Sequence, residues 1–169
     1  LTLPPEQRPA WLSRDGIVMA GSWEPLYFRV RRDGAPDYTP TAEQRAAYQR
    51  EHSPEMVARL KELGVNFVMM HCNKGGGLEA ERESMADAVR FARLCHENGL
   101  RVGVYVSSAT LLWEHFFKEV PAAKDWVLLD RDGQPRTYGR ATWRYFWNRN
   151  HPDAAAYHRR PVEIAIREI

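Results

Sequence analysis

Ser53-Pro54-Glu55-Met56-Val57-Ala58-Arg59-Leu60-Lys61-Glu62-Leu63-Gly64-Val65-Asn66-Phe67-Val68-Met69-Met70 carries a helix, a stop and a strand in one short stretch. A serine at the N-cap followed by proline at the first helical position announces the helix. Met56, Val57, Leu60 and Leu63 recur at helical spacing and form one apolar face. Gly64 supplies the stop, and the nearly unbroken apolar run from Val65 to Met70 is the pattern of a parallel strand covered on both faces. A helix feeding a buried strand is the basic step of an α/β fold.

The step repeats downstream. After His71-Cys72-Asn73-Lys74 and the triple glycine Gly75-Gly76-Gly77, a helical pattern begins near Glu79, with Met85, Ala88, Val89, Ala92 and Cys95 on one face. Asn98-Gly99 ends it, and Leu100-Arg101-Val102-Gly103-Val104-Tyr105-Val106 supplies the next strand, completing a β-α-β unit. Upstream, Gly16-Ile17-Val18-Met19-Ala20-Gly21 reads as an earlier strand, followed through Trp23-Glu24-Pro25 by a long polar connection to Ser53. Two such units mean a parallel sheet or barrel, and strands near 17–21, 65–71 and 101–106 are expected to be parallel neighbours in sequential order, as closure of a TIM-type (β/α)8 barrel requires.

From about Ser107 to His151 the chain makes an excursion too long for an ordinary connection. It is expected to hold a short helix around 112–118 and a hairpin in which Asp132-Gly133 turns the chain after Trp126-Val127-Leu128-Leu129. Asp125, Asp130 and Asp132 read as turn formers. Pro152 opens a last helix, which Pro161 is expected to kink or divide.

A complete barrel uses roughly 250 residues, so 169 residues are expected to be the N-terminal part of a single barrel domain. About three βα units and the excursion after the third strand would account for the chain. It begins with Leu1 and ends at Ile169 inside a helical pattern, consistent with that expectation. An unpaired strand edge would then favour self-association into a homo-oligomer.

Charge excludes some partners. The 24 basic and 22 acidic side chains, net +2, are mixed along the chain, which argues against nucleic acid. The runs at Arg29 to Arg32 and Arg159 to Arg160 are each followed by acidic residues and read as solvated surface. No apolar run approaches the roughly 20 residues that cross a bilayer, so no membrane partner is expected, and the start lacks the pattern of a signal peptide. Cys72 ends one strand, and Cys95 sits near the far end of the helix returning from it, so the two are expected as free thiols, leaning toward a reducing, cytoplasmic compartment. The same separation argues against a metal site built from His71, Cys72, Cys95 and His96. No cofactor is expected.

Chemistry is expected where the strand C-termini meet. Trp23 and Glu24 follow the first strand. His71, Asn73 and Lys74 follow the second, and Tyr105 the third, while the excursion adds Trp113 and Asn148. Rings stack on the apolar faces of sugars, and amides, imidazoles and charged groups meet their hydroxyls, so this set suits a carbohydrate. Each side chain has a plainer alternative: Trp23 and Trp113 as packing under loops, His71 as a satisfied structural histidine, Lys74 as a solvated cation. Glu24 is the carboxylate nearest a strand end and only a weak candidate for catalysis. Gly75-Gly76-Gly77 before a helix invites a phosphate-binding or nucleotide-binding alternative. The motif spacings for that are missing, and Glu79, Glu81 and Glu83 put negative charge where a phosphate would sit.

Four stretches, in order, resemble the alpha-L-fucosidase-like and hypothetical-glycosyl-hydrolase-like barrels over about Asp15 to Ile169. They are Arg14-Asp15-Gly16-Ile17-Val18-Met19-Ala20-Gly21-Ser22-Trp23-Glu24-Pro25, then Leu63 through Gly75, then Gly99-Leu100-Arg101-Val102-Gly103-Val104-Tyr105, and Tyr145-Phe146-Trp147-Asn148-Arg149-Asn150-His151-Pro152. The resemblance implies a retaining glycosidase. Its nucleophile would be an aspartate on the strand after the last helix, with the acid/base later still, so neither falls within this chain. It also implies that His71, Asn73, Lys74, Tyr105 and Asn148 orient the sugar ring. A carbohydrate-binding barrel without catalysis would present the same mouth.

Overall fold

A computed structural model of the chain describes residues 9–23, 25–26, 40–107, 109–139 and 141–169; within these, the side chains of Ser13, Ser22, Trp23, Leu112, Trp113, Glu114, Ala141 and Thr142 are outside the description. Helix α1 (Ala10–Asp15) leads into β1 (Met19–Trp23). Helices α2 (Ala42–Glu51) and α3 (Pro54–Glu62) precede β2 (Phe67–Asn73), and α4 (Arg82–Glu97) connects β2 to β3 (Arg101–Val106). The three strands form one parallel sheet in the order β1-β2-β3, as the apolar runs imply.

Both β1 and β2 begin about two residues later than their apolar runs. The Asn66 side chain accepts from the Val18 backbone N–H at 2.9 Å and donates to the Gly16 carbonyl at 3.1 Å. These bonds occupy the backbone ahead of the ladder, and Ile17 and Val18 stay about half exposed, at 52% and 48%.

The helix before β2 starts as its sequence demands. Ser53 Oγ accepts from the Met56 N–H at 3.2 Å, with Pro54 at the first helical position. Val57 and Leu60 are buried, but Leu63 is exposed, a correction to the expected apolar face. Leu63 is the C-cap, where the chain leaves helical geometry for Gly64 at φ +76°, and its side chain no longer follows the helical stripe.

The expected polar connection before Ser53 also needs correcting, because it contains α2. That helix opens on a capping box: Thr41 Oγ1 accepts from the Gln44 N–H and Gln44 Oε1 from the Thr41 N–H. Its single buried side chain, Tyr48, leaves no apolar stripe for the sequence to display. His52, at the turn between α2 and α3, is buried between Tyr48 and Phe91 and bonds through Nδ1 to Asp87, while Arg90 Nη2 donates to the His52 carbonyl at 2.9 Å. This knot fastens the turn to α4.

One sheet face carries the main core. Val68, Met70 and Cys72 alternate along β2 and pack with Val57, Leu60, Met85, Ala88, Phe91, Ala92, Cys95 and Leu100, and Val102, Val104 and Val106 of β3 lie against the same cluster. Cys72 and Cys95 are both free and buried. Phe67, Met69 and His71 point to the other face, where they pair across the ladder with Arg101, Gly103 and Tyr105.

The excursion forms a second, antiparallel sheet. Strands β4 (Thr110–Leu112), β5 (Thr137–Tyr138) and β6 (Ala141–Phe146) pair in the order β4-β6-β5, with α5 (Trp113–Glu119) and a 3-10 helix (Pro121–Trp126) between β4 and β5. The Asp130 side chain accepts from the N–H groups of Asp132 and Gln134, closing the turn expected at Asp132-Gly133. Phe116, Trp126, Trp147 and Ala154 form the core of this unit. Helix α6 (Pro152–Glu168) starts at Pro152 and is a single element containing a buried Pro161, so the expected division does not occur. It packs on β2 and β3 while Ala154 and Tyr157 reach the second core, tying the two units together.

Candidate functional site

The C-terminal ends of β2 and β3 bring three of the expected side chains together. His71 and Tyr105 are register partners, and their rings stack with centroids 4.6 Å apart and planes at 27°. Lys74 is buried, and its Nζ lies 4.8 Å from the centre of the Tyr105 ring. Tyr105 remains 39% exposed, so this aromatic surface reaches solvent.

Burial, then the positive charges of Lys74 and Arg144, lower the His71 imidazole to about 4. At neutral pH it is an uncharged ring with one donor and one acceptor nitrogen. The unfolded chain takes up a proton here below about pH 6.5, whereas the folded chain resists protonation until about pH 4. Stability from this group is thus complete above pH 6.5 and is lost as the pH falls from there toward 4. Urea midpoints measured from pH 7.5 to 4 should fall more steeply for the wild type than for His71→Gln. Parallel pH profiles would remove His71 as the cause.

The loop after β2 is shaped by two carboxylates of the chain itself. Glu81 is fully buried and accepts from the Lys74 N–H at 2.7 Å, the Gly76 N–H at 2.6 Å and Asn73 Nδ2 at 3.1 Å. Glu119, from α5, accepts from the N–H groups of Leu78 at 3.1 Å and Glu79 at 2.9 Å, and from the Tyr157 hydroxyl at 2.8 Å. The Gly75 N–H donates to Asn73 Oδ1 at 3.2 Å. The N–H groups of Lys74, Gly75, Gly76, Leu78 and Glu79, around the loop that suggested a phosphate cradle, are thus engaged by oxygens of this chain, which weighs against that alternative.

Two glycines are required by close approach. Gly75 has φ +92° and faces the Thr110 carbonyl, and Gly77 has φ +110° and faces the Glu119 carboxylate; a Cβ at either would collide with that neighbour. The excursion is joined to the site at the same place. Ser107 N–H donates to the Asn73 carbonyl at 2.8 Å, and Arg144 Nε donates to Thr110 Oγ1 at 2.9 Å, with its guanidinium over the Tyr138 ring.

Asn73 adjoins the cluster, but its amide bonds Glu81 and Gly75. Asn148 follows β6; its Oδ1 accepts from the Asn150 N–H at 3.0 Å and its own N–H donates to the Trp126 carbonyl at 2.6 Å, shaping the turn into α6. Trp23 ends β1 with its backbone in register with Met70, and its side chain, like that of Trp113, lies outside the described residues, as does Glu24 altogether. Burial pushes the thiol of Cys72 up to about 12 and that of Cys95 up to about 11, which leaves both inert as nucleophiles near neutrality. Sequence reasoning missed Glu81 and Glu119 as organisers of the site, and Arg144 as its neighbour. Glu81 was legible only as one of several glutamates after the glycines.

No protein-family profile matches the chain, and no curated protein matches it by sequence. Solved structures do. An alpha-amylase from Lactobacillus plantarum superposes with a TM-score of 0.51 at 18% identity, over 69% of this chain and 32% of that one. A noncanonic maltogenic alpha-amylase from Thermotoga neapolitana gives 0.50 at 15% identity, over 68% and 31%. An alpha-galactosidase from Thermus thermophilus, solved in complex with stachyose, gives 0.50 at 17%, over 70% and 28%.

The likeness is one of fold. This chain shares its α/β fold with part of each of these enzymes, spanning about a third of their length. Nothing in this likeness of fold singles out the fucosidase-like branch.

Proposed function

We propose that this chain forms part of a carbohydrate-active barrel of the glycoside-hydrolase kind, and that the surface around His71, Tyr105 and Lys74 holds a sugar ring. The observation that carries this reading is the convergence of those side chains at the C-terminal ends of two neighbouring parallel strands, the end at which barrels of this class keep their active sites. A neutral imidazole can hydrogen-bond a hydroxyl without a charge, the phenol ring offers an apolar face and a polar tip, and the ammonium carries donors. Trp23, Trp113, Asn73 and Asn148 are proposed as further contacts with the same substrate.

Hydrolysis would be of the retaining type. In that chemistry one carboxylate attacks the anomeric carbon, and a second protonates the leaving oxygen and then activates water. Both carboxylates are proposed to lie outside this chain, on later strands of the barrel. No cofactor enters the scheme.

The test is hydrolysis by the natural protein of a substrate panel that includes stachyose, maltose-based oligosaccharides and alpha-L-fucosides, with the anomer of the first product read by NMR. Release of a free sugar with retained configuration is the expected result. Binding without turnover would reassign the barrel as a carbohydrate-binding module, and indifference to every sugar would end the proposal.

A further inference from the structure

Glu81 lies at the start of α4, fully buried, and its carboxylate gathers the Lys74 N–H, the Gly76 N–H and the Asn73 amide onto two oxygens. A carboxylate accepting several N–H bonds in a buried setting is a strong local constraint, because each such bond is charge-assisted and its loss leaves a buried donor unsatisfied. The constraint falls on the residue whose side chain continues to Tyr105, since the Lys74 backbone is bonded to Glu81 while its Nζ lies over the ring stacked on His71. We propose that Glu81 is a positioning residue of this site, fixing the loop after β2 so that Lys74 is delivered over Tyr105 and beside His71.

Only the consequence for activity rests on reading the cluster as a sugar site. The geometry can be tested without any sugar. Lys74 helps to hold the His71 imidazole low, so the NMR titration of His71 reports where the ammonium lies. Lys74→Met should raise the His71 midpoint by about half a pH unit to one unit. Glu81→Gln should raise it by a similar amount. The sign is informative, because deleting an anion without moving Lys74 would shift a nearby imidazole downward.

A general loosening that wets His71 would also raise its midpoint, and the double variant separates the two causes. If Glu81 acts through Lys74, adding Glu81→Gln to Lys74→Met produces no further rise. Glu81→Asp, which keeps the charge but withdraws it by one methylene, is titrated in parallel in case the amide variant does not fold, and it should also move His71 upward.

An unchanged or lowered midpoint in the Glu81 variants, or shifts that add fully in the double variant, would overturn the positioning role. In the natural protein, kcat/KM should fall to the same extent in Glu81→Gln as in Lys74→Met, with no further fall in the pair. A wild type that neither binds nor cleaves sugars while the His71 shifts follow this pattern would defeat the proposed function and leave the positioning role standing.

Discussion

Replacing Gly75 by alanine is expected to destabilise the fold by about 2–5 kcal/mol, through two costs that act together. The residue sits at φ +92°, where an L side chain is strained, and its added Cβ would collide with the backbone carbonyl of Thr110. A backbone carbonyl cannot rotate aside as a side-chain tip can. It belongs to β4, so relief would require the excursion to withdraw from the loop after β2. Gly133 provides the control, because it has φ +75° and a Cβ added there would meet nothing within 4 Å. Gly133→Ala should therefore cost only the conformational part, about 1–2 kcal/mol. Urea denaturation of both variants measures the difference directly. Equal losses would mean that the loop and β4 do not touch as described.

The second large effect concerns activity. On the proposed reading, replacing His71 or Tyr105 by alanine lowers kcat/KM on a glycoside that the protein hydrolyses by tenfold to a thousandfold, roughly 1.4–4 kcal/mol of transition-state stabilisation. Each substitution removes one ring of the stacked pair, so each also frees the other from its present orientation. The double variant should lose less than the sum of the two single losses. The fold should persist, because Tyr105 is 39% exposed and both side chains lie on the sheet face opposite the main core of Val68, Met70 and Cys72. Steady-state kinetics alongside thermal melting distinguishes loss of the site from loss of the protein.

Most of the parallel sheet could be read from the chain because its signals are local. A proline-initiated helix, a glycine stop and an unbroken apolar run need no information from elsewhere, and β2 and β3 follow from them. Helix α2 was hidden because it buries only Tyr48; its capping box at Thr41 and Gln44 was the remaining visible sign. The strand-end rule found His71, Lys74 and Tyr105 because it depends only on direction along the chain. The groups that organise them were less legible. The Gly75 to Gly77 loop invited an anion-cradle alternative that the sequence weighed against, and the carboxylates at the loop are those of Glu81 and Glu119, the latter 41 residues away from Leu78 in sequence. Asn73 and Asn148 are a related case, since an amide at a strand end can serve a ligand or shape its own loop, and residue type alone does not distinguish these uses.

A sugar held on the exposed aromatic surface at the ends of β2 and β3 must touch the rings that form it. Titrating the natural protein with the glycoside or product that it recognises, while following the ring resonances of His71 and Tyr105 by NMR, tests this directly. Saturable shifts are expected at both rings, with one dissociation constant shared between them and lost in Tyr105→Ala. Saturable binding that leaves both rings unperturbed would contradict a sugar site at this surface.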